Sequence, residues 1–222
     1  MYQFSFEKFG SNFGPILSCL PTTLFLAFAT FACAFVLACL IAFLSMRKNR
    51  AVTFVMKIWL SLFRGTPILV QLFFFVYGVF PNIPFMRGMS PIWYAIICLS
   101  LAYSAYMSET IRGAIASIPG GQMEACLTVG MSHAQGMRRV ILPQAMRLAI
   151  PPLSNNFMEV FKGASLASIV GVTEMLLKAK MISSKDLRMM ESYLAVLLIY
   201  WALSILFTFV QKRIEDHMAK HV

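Results

Sequence analysis

Between Lys8 and Arg47 the chain carries no charged residue, and the part from about Thr22 to Met46 alone is long enough to cross the roughly 30 Å hydrocarbon core of a bilayer as a helix. A helix is one of the few structures that satisfies its own backbone in lipid, so this segment has few other fates. The rest of the chain agrees: 59% of residues are hydrophobic and only 13% charged, where a soluble chain carries about a quarter charged residues. A water-soluble fold of this size cannot hide so much apolar surface. The reading is therefore an integral membrane protein, which excludes a soluble enzyme, a disulfide scaffold and a disordered tail.

A formal charge of +10 raises the question of nucleic acid, but the bases are scattered between apolar runs and form no patch with interleaved aromatics. Cys19, Cys33, Cys39 and Cys98 lie in or beside apolar runs, and Cys126 lies in a polar loop without a CxxC partner. Neither a metal site nor a disulfide framework is indicated. His133, His217 and His221 sit in loop or tail, with no third ligand beside the i,i+4 pair. The N-terminus lacks a net basic flank, Lys8 being offset by Glu7, and a cleavage-type site, so the first segment is expected to be retained.

Four further spans follow. The second, 52–80, is broken by Arg64-Gly65-Thr66-Pro67; the third, 91–111, carries Glu109 near its end; the fourth, 148–172, contains Asn155, Asn156, Glu159 and Lys162; the fifth, 192–211, stops at Lys212-Arg213. The only long polar connection lies between spans three and four. No internal repeat is visible, so the sequence predicts one all-α membrane domain, 1–222. Five spans put the termini on opposite sides, and basic residues choose the side. With the C-terminus cytoplasmic, eleven Lys and Arg lie inside (Arg47, Lys48, Arg50, Lys57, Arg112, Arg138, Arg139, Arg147, Lys212, Arg213 and Lys220) and six outside. The expected topology is N-terminus out, C-terminus in.

The connection reads Gln122-Met123-Glu124-Ala125-Cys126-Leu127-Thr128-Val129-Gly130, nine residues, then Val140-Ile141-Leu142-Pro143. It predicts a short helix after Pro119-Gly120-Gly121, a turn at Gly130 and a second helix ending near Pro143. Periodicity alone reads it as a connector lying on the membrane surface. The pattern also resembles Glu-Ala-Ala, three residues, Gly, nine residues, Ile, one residue, Leu-Pro. That is the coupling-loop signature of permease subunits of bacterial ATP-binding-cassette importers, with Cys126 replacing Ala and Val140 replacing Ile.

The likeness covers nearly the whole chain and narrows to the polar amino acid branch, of the histidine, arginine, glutamine and cystine type. Phe63-Arg64-Gly65-Thr66-Pro67-Ile68-Leu69-Val70-Gln71-Leu72-Phe73 resembles that branch, as do Arg112-Gly113-Ala114-Ile115 and Lys162-Gly163-Ala164-Ser165-Leu166. In the last segment the branch more often has a polar residue and Thr where this chain has Gly163 and Ala164. The resemblance implies a type I importer permease with five transmembrane helices in the bacterial inner membrane. Its partners would be two cytoplasmic ATPase subunits, a second permease chain, identical or homologous, and an extracytoplasmic substrate-binding protein. It also implies coupling roles for Glu124, Ala125, Cys126, Gly130, Leu142 and Pro143, with Gly130 reversing the chain and Pro143 ending a helix. Glu124 also reads as a first-turn carboxylate at its own helix N-terminus. No cofactor is expected in this chain, ATP and Mg being bound by the partner ATPase.

An ionisable group inside a span costs at least about 2.5 kcal/mol on insertion scales, so such groups face partners, water or substrate. Asn155, Glu159, Lys162 and Leu166 fall on one stripe of span four, after Pro151 and Pro152 and before Gly163, where the backbone is expected to bend or unwind. One reading gives Glu159 the ammonium of a substrate and Lys162 the carboxylate; the other makes the two a structural i,i+3 pair. Arg64 and Gln71 share a face of span two if Pro67 does not rotate it, and Tyr106 shares one with Glu109 on span three. Gln71 reads equally as pore-lining or as an interhelical donor. These six, Glu159, Asn155, Lys162, Gln71, Arg64 and Tyr106, are the candidate substrate-binding residues. Glu109 with Arg112 reads as a structural pair, Thr66 as back-bonded to its own helix, and the outward set Lys178, Lys180, Lys185 and Arg188 as a solvated loop or a dock for an acidic binding protein.

The chain has no GxxxxGK[ST] loop and no HExxH. It is therefore not expected to be an enzyme or to hydrolyse ATP itself. The competing reading is a self-contained secondary amino acid transporter or channel, which has no use for the loop from Glu124 to Pro143.

Overall fold

The computed structural model describes residues 3–47 and 49–219, with side chains up to Asp216. Lys48, Lys220 and His221 lie outside the described residues, as does the side chain of His217. Every described segment of regular structure is helical. Three helices are long and apolar enough to cross a membrane: α2 (Leu20–Ser45), α5 (Pro91–Ala116) and α10 (Met189–Ala219).

Two bent helix pairs are, taken together, long and apolar enough to supply the remaining spans. In the first, α3 (Arg50–Gly65) turns by 107° into a segment that starts as α4 (Ile68–Phe73) and runs to Asn82. In the second, a continuous helix from His133 to Val170 meets α9 (Met175–Asp186) at 47°. The expected span 52–80 is therefore sharply angled, and the expected span 148–172 is the upper part of a longer rod.

The core forms where α2 runs beside α5. Ala27, Thr30, Ala34 and Ala38 recur at helical spacing along one face of α2 and are fully buried, opposite Ala95, Cys98 and Leu99. Small side chains let the two backbones approach, as helices in lipid require in the absence of a hydrophobic driving force. The Ser100 hydroxyl donates to the Thr30 carbonyl at 3.2 Å across this contact. The helices run in the same direction, so their C-terminal ends are level, and α6 (Gly120–Thr128) follows α5 at that end of the bundle.

Two helices outside the expected spans complete the opposite end. α1 (Phe6–Leu17) packs Ile16 against Met175 and Ala179 of α9 and Ala195 of α10. The loop expected between spans four and five is thus mostly helix.

Prolines are accommodated by widening the preceding turn. Phe74–Val79 and Met137–Ile141 are π-helical, each ending two residues before a proline, Pro81 and Pro143. In each, the next amide bonds five residues back, Phe80 to Phe75 and Leu142 to Met137. The extra residue re-satisfies the ladder around a residue with no N–H. Pro143 therefore does not end a helix: it lies in the first turn of α8 (Leu142–Gly163), inside an unbroken rod. Pro151 and Pro152 likewise sit within α8 without breaking it, and the backbone tightens to a 3-10 helix only after Gly163, over Ala164–Val170.

Candidate functional site

The polar loop is a compact hairpin. α6 ends in a Schellman motif: the Met131 amide bonds the Cys126 carbonyl at 3.0 Å and the Gly130 amide the Leu127 carbonyl at 3.0 Å. Gly130 takes φ +82°, the left-handed conformation this cap demands. A capping box between Ser132 and Gln135 then starts α7 (His133–Gly136), which runs on into α8. The two arms lock where Gly136 faces α6, since a Cβ there would lie 3.0 Å from both Cys126 Cβ and Met123 Sδ.

Cys126 is buried in that seam, whereas Glu124, Ala125, Leu127 and Val129 are exposed on the outer face of α6. Glu124 stands in the second turn of α6, so the first-turn reading of its carboxylate does not hold. Leu142 is half-buried and lines an apolar cavity together with Phe35 of α2 and Ile111 and Ala114 of α5; Pro143 is exposed.

That arm continues without a break to Asn155, Glu159 and Lys162. All three are exposed on α8. Asn155 Oδ1 accepts from Gln211 Nε2 of α10 at 3.1 Å. Glu159 and Lys162 form no ion pair with each other, since the four pairs within 4 Å among the described residues lie elsewhere. Lys162 instead lines a cavity of about 530 Å³ with Ser165, Tyr193, Tyr200, Trp201 and Ser204, to which Glu159 does not contribute. Above them, Ser165 donates to the Lys162 carbonyl at 2.7 Å and Ser168 to that of Ser165 at 2.6 Å, supporting the 3-10 turns.

The residues of span two separate at the bend. Arg64 reaches Glu109 on α5 at 3.5 Å, and Glu109 also holds Arg112 through two hydrogen bonds of 2.9 Å. The Tyr106 hydroxyl lies 3.5 Å from the Arg64 carbonyl, and its ring faces the Arg64 guanidinium at 6.0 Å. Gln71, in contrast, is buried and does not share a face with Arg64. Its Nε2 donates to the Phe63 carbonyl at 3.0 Å, the Thr66 carbonyl at 3.0 Å and Thr66 Oγ1 at 2.9 Å. In an unbroken helix the Phe63 carbonyl would accept from residue 67, which is a proline. Gln71 supplies that missing donor from α4 to α3 across the bend, while its Oε1 has no hydrogen-bond partner among the described residues. Thr66 Oγ1 in turn donates back to the Leu62 carbonyl at 2.8 Å.

Sequence reasoning passed over two fully buried carboxylates, Glu174 and Glu191. Glu174 caps α9 by accepting from the Leu177 amide at 2.9 Å and receives the Tyr200 hydroxyl at 2.9 Å. Glu191 Oε1 accepts from the Ser5 amide at 3.0 Å and from Arg188 at 3.0 Å, tying the start of α1 to α10. Their only signals in the sequence are an acid just before a helix and an Arg three residues before an acid. Of the outward basic set, Arg188 is engaged in this tie, while Lys180 and Lys185 remain exposed.

Comparison with known proteins identifies the family to which this chain belongs. Residues 34–220 match the family described as binding-protein-dependent transport system inner membrane component. The chain is 41% identical to the probable amino-acid permease protein YxeN of Bacillus subtilis (strain 168), over 99% of this chain and 98% of the relative. It is 41% identical to the L-cystine transport system permease protein TcyB of the same organism, over 95% and 90%. Among solved structures, a chain from the crystal structure of an amino acid ABC transporter with histidines superposes with a TM-score of 0.89 at 28% identity, covering 97% of this chain and 100% of that one. The chain thus belongs to the binding-protein-dependent transport system inner membrane components and is an inner-membrane permease of the amino acid ABC-transporter type, with the type I importer fold.

Proposed function

We propose that this chain forms the membrane pathway of an ATP-driven importer for polar amino acids and transmits the state of two cytoplasmic ATPase subunits to that pathway. One observation carries the reading: the helix that leaves the Gly130 turn runs unbroken from His133 past Asn155, Glu159 and Lys162. About 26 residues separate His133 from Glu159, a rod of roughly 39 Å. Because α6 is locked to the base of this rod, a displacement of α6 moves the polar stripe as a rigid body.

On this reading Glu124, Ala125 and the exposed apolar residues of α6 enter a groove of an ATPase, Cys126 and Gly130 hold the hairpin's shape, and Leu142 and Pro143 join it to the rod. A binding protein delivers substrate at the end carrying α1 and α9, and a second permease chain completes the pathway. The loop end is cytoplasmic, which leaves the N-terminus outside and the C-terminus inside.

Glu159, in no ion pair among the described residues, is a receptor for a substrate ammonium group, with Asn155 one turn back on the same stripe, and Lys162 reaches the carboxylate only by turning out of the cavity it now lines. A zwitterionic or cationic amino acid fits this pair, in keeping with relatives named for cystine and a neighbour crystallised with histidines. Arg64, paired with Glu109, and Tyr106 beside it line the pathway nearer the loop end.

The test is a pair of substitutions in the assembled transporter. Glu124→Lys should leave the chain inserted but reduce copurification of the ATPase, while Glu159→Gln should leave assembly intact and weaken substrate-stimulated transport. Normal ATPase association of Glu124→Lys removes the coupling assignment. If Glu159→Gln lowers only expression, Glu159 is structural.

A further inference from the structure

We infer that the turn joining α2 to α3 is a binding site for the phosphate of an anionic phospholipid. Arg47, Arg50, Thr53, Phe54 and Lys57 line one pocket of about 310 Å³. None of its three cations belongs to any of the four ion pairs found among the described residues. Three neighbouring positive charges without a carboxylate repel one another, and an anion between them relieves that repulsion.

Hydrogen bonds hold Arg47 and the first turn of α3 around the pocket. Asn49 Oδ1 accepts from the Ala51 amide at 3.0 Å and the Val52 amide at 3.2 Å, and Thr53 Oγ1 donates to the Arg47 carbonyl at 3.2 Å. Long side chains on a helix lean toward its N-terminus, which brings Lys57, two turns into α3, back toward Arg50.

What selects a lipid over a free anion is the surface bordering the charges. Val36, Leu40 and Phe43 recur at helical spacing on α2 as exposed apolar side chains, and Arg47 is the next position of that stripe, its guanidinium 5.0 Å from the Phe43 ring centroid. On α3, Phe54 is 64% exposed within the pocket itself, and Val55 and Ile58 are exposed beside it. A basic cluster closing an apolar stripe at the end of a span matches a headgroup phosphate above acyl chains. The pocket lies at the level where α2 and α5 end, on the side of the bundle that carries α6.

The site makes no use of the transport assignment, so it is tested on the purified full-length chain in neutral detergent. Bound lipid is counted by native mass spectrometry with phosphatidylglycerol or phosphatidylcholine added at low ionic strength. Phosphatidylglycerol should be retained preferentially. Arg47→Gln, Arg50→Gln and Lys57→Gln should each lower that preference by roughly fivefold, while Lys180→Gln with Lys185→Gln, at the opposite end, should leave it unchanged. Arg47→Lys, which keeps the charge, controls for loss of fold and should retain most of the preference. An unchanged preference in the triple variant overturns the inference, as does inorganic phosphate that binds equally well and displaces the lipid. Loss of a copurifying ATPase with lipid preference intact would make the patch a protein interface instead.

Discussion

The hydroxyl of Tyr103 on α5 fills the space into which any side chain at Gly163 would grow: a Cβ there would overlap that oxygen and lie 2.9 Å from Cζ. Tyr103 is buried, and its hydroxyl also donates to the Glu159 carbonyl at 3.2 Å. Gly163 on α8 thus leaves room for a side chain arriving from α5, one turn beyond Glu159.

Gly163→Ala should therefore cost about 1–3 kcal/mol of stability, the usual range for overpacking. Trimming the intruder in the same chain, with Tyr103→Leu, should recover part of that loss. Thermal unfolding of the four chains of this cycle reads the coupling; strictly additive effects would mean that the close approach is not the cause.

Gln71→Leu should destabilise the chain by about 1–3 kcal/mol, because it strips the donor from the buried carbonyl that Pro67 leaves unpaired. Substrate affinity of the surviving protein should be unchanged, since the amide is committed to the bend. A Gln71→Leu variant of normal stability but altered substrate affinity would restore the residue to the pathway.

Arg188→Ala should harm the chain more than Glu191→Gln. The first leaves a fully buried carboxylate without its cation, a loss of about 3–5 kcal/mol for a wholly buried pair and less here because Arg188 is partly exposed. The second keeps the shape and removes the charge. Trypsin cleavage at Lys8, whose release requires α1 to lift from α9 and α10, should accelerate in Arg188→Ala; equal cleavage in both variants would show that the tie does not hold α1.

Gly130→Val should lose about 1–3 kcal/mol to backbone strain at φ +82°. Its larger effect should be on ATPase copurification, because the cap sets the angle between α6 and the rod. Full copurification with normal transport would separate the turn from coupling.

The three unbent spans were legible because each is a long apolar run with at most one charge, Glu109 near the end of the third: the expected 22–46, 91–111 and 192–211 lie within or nearly within α2, α5 and α10. The loop hairpin was legible from Gly130, whose conformation only a turn of this kind requires. What the sequence concealed depends on tertiary partners. α9 is studded with lysines and is barely apolar, so only its packing against α1 and α10 makes it part of the bundle. Pro143 reads as a helix stop, yet a π turn two residues earlier absorbs its missing donor. Gln71 looked free to face a pathway because nothing local reveals that the chain bends by 107° and leaves the Phe63 carbonyl without a partner. The stripe of Asn155, Glu159 and Lys162 was visible as helical spacing, but that Lys162 faces a cavity Glu159 does not reach required the positions of α9 and α10.

In the proposed mechanism an ATP-driven motion at α6 reaches the polar stripe of α8. Its most direct measurement is ATP turnover of the assembled, reconstituted transporter with its binding protein, scanned across the polar amino acids and cystine. One cationic or zwitterionic amino acid should stimulate turnover several-fold, and Glu159→Gln should abolish the stimulation while basal turnover persists. Solute movement down a gradient through the purified chain alone, with no ATPase associating, would contradict it.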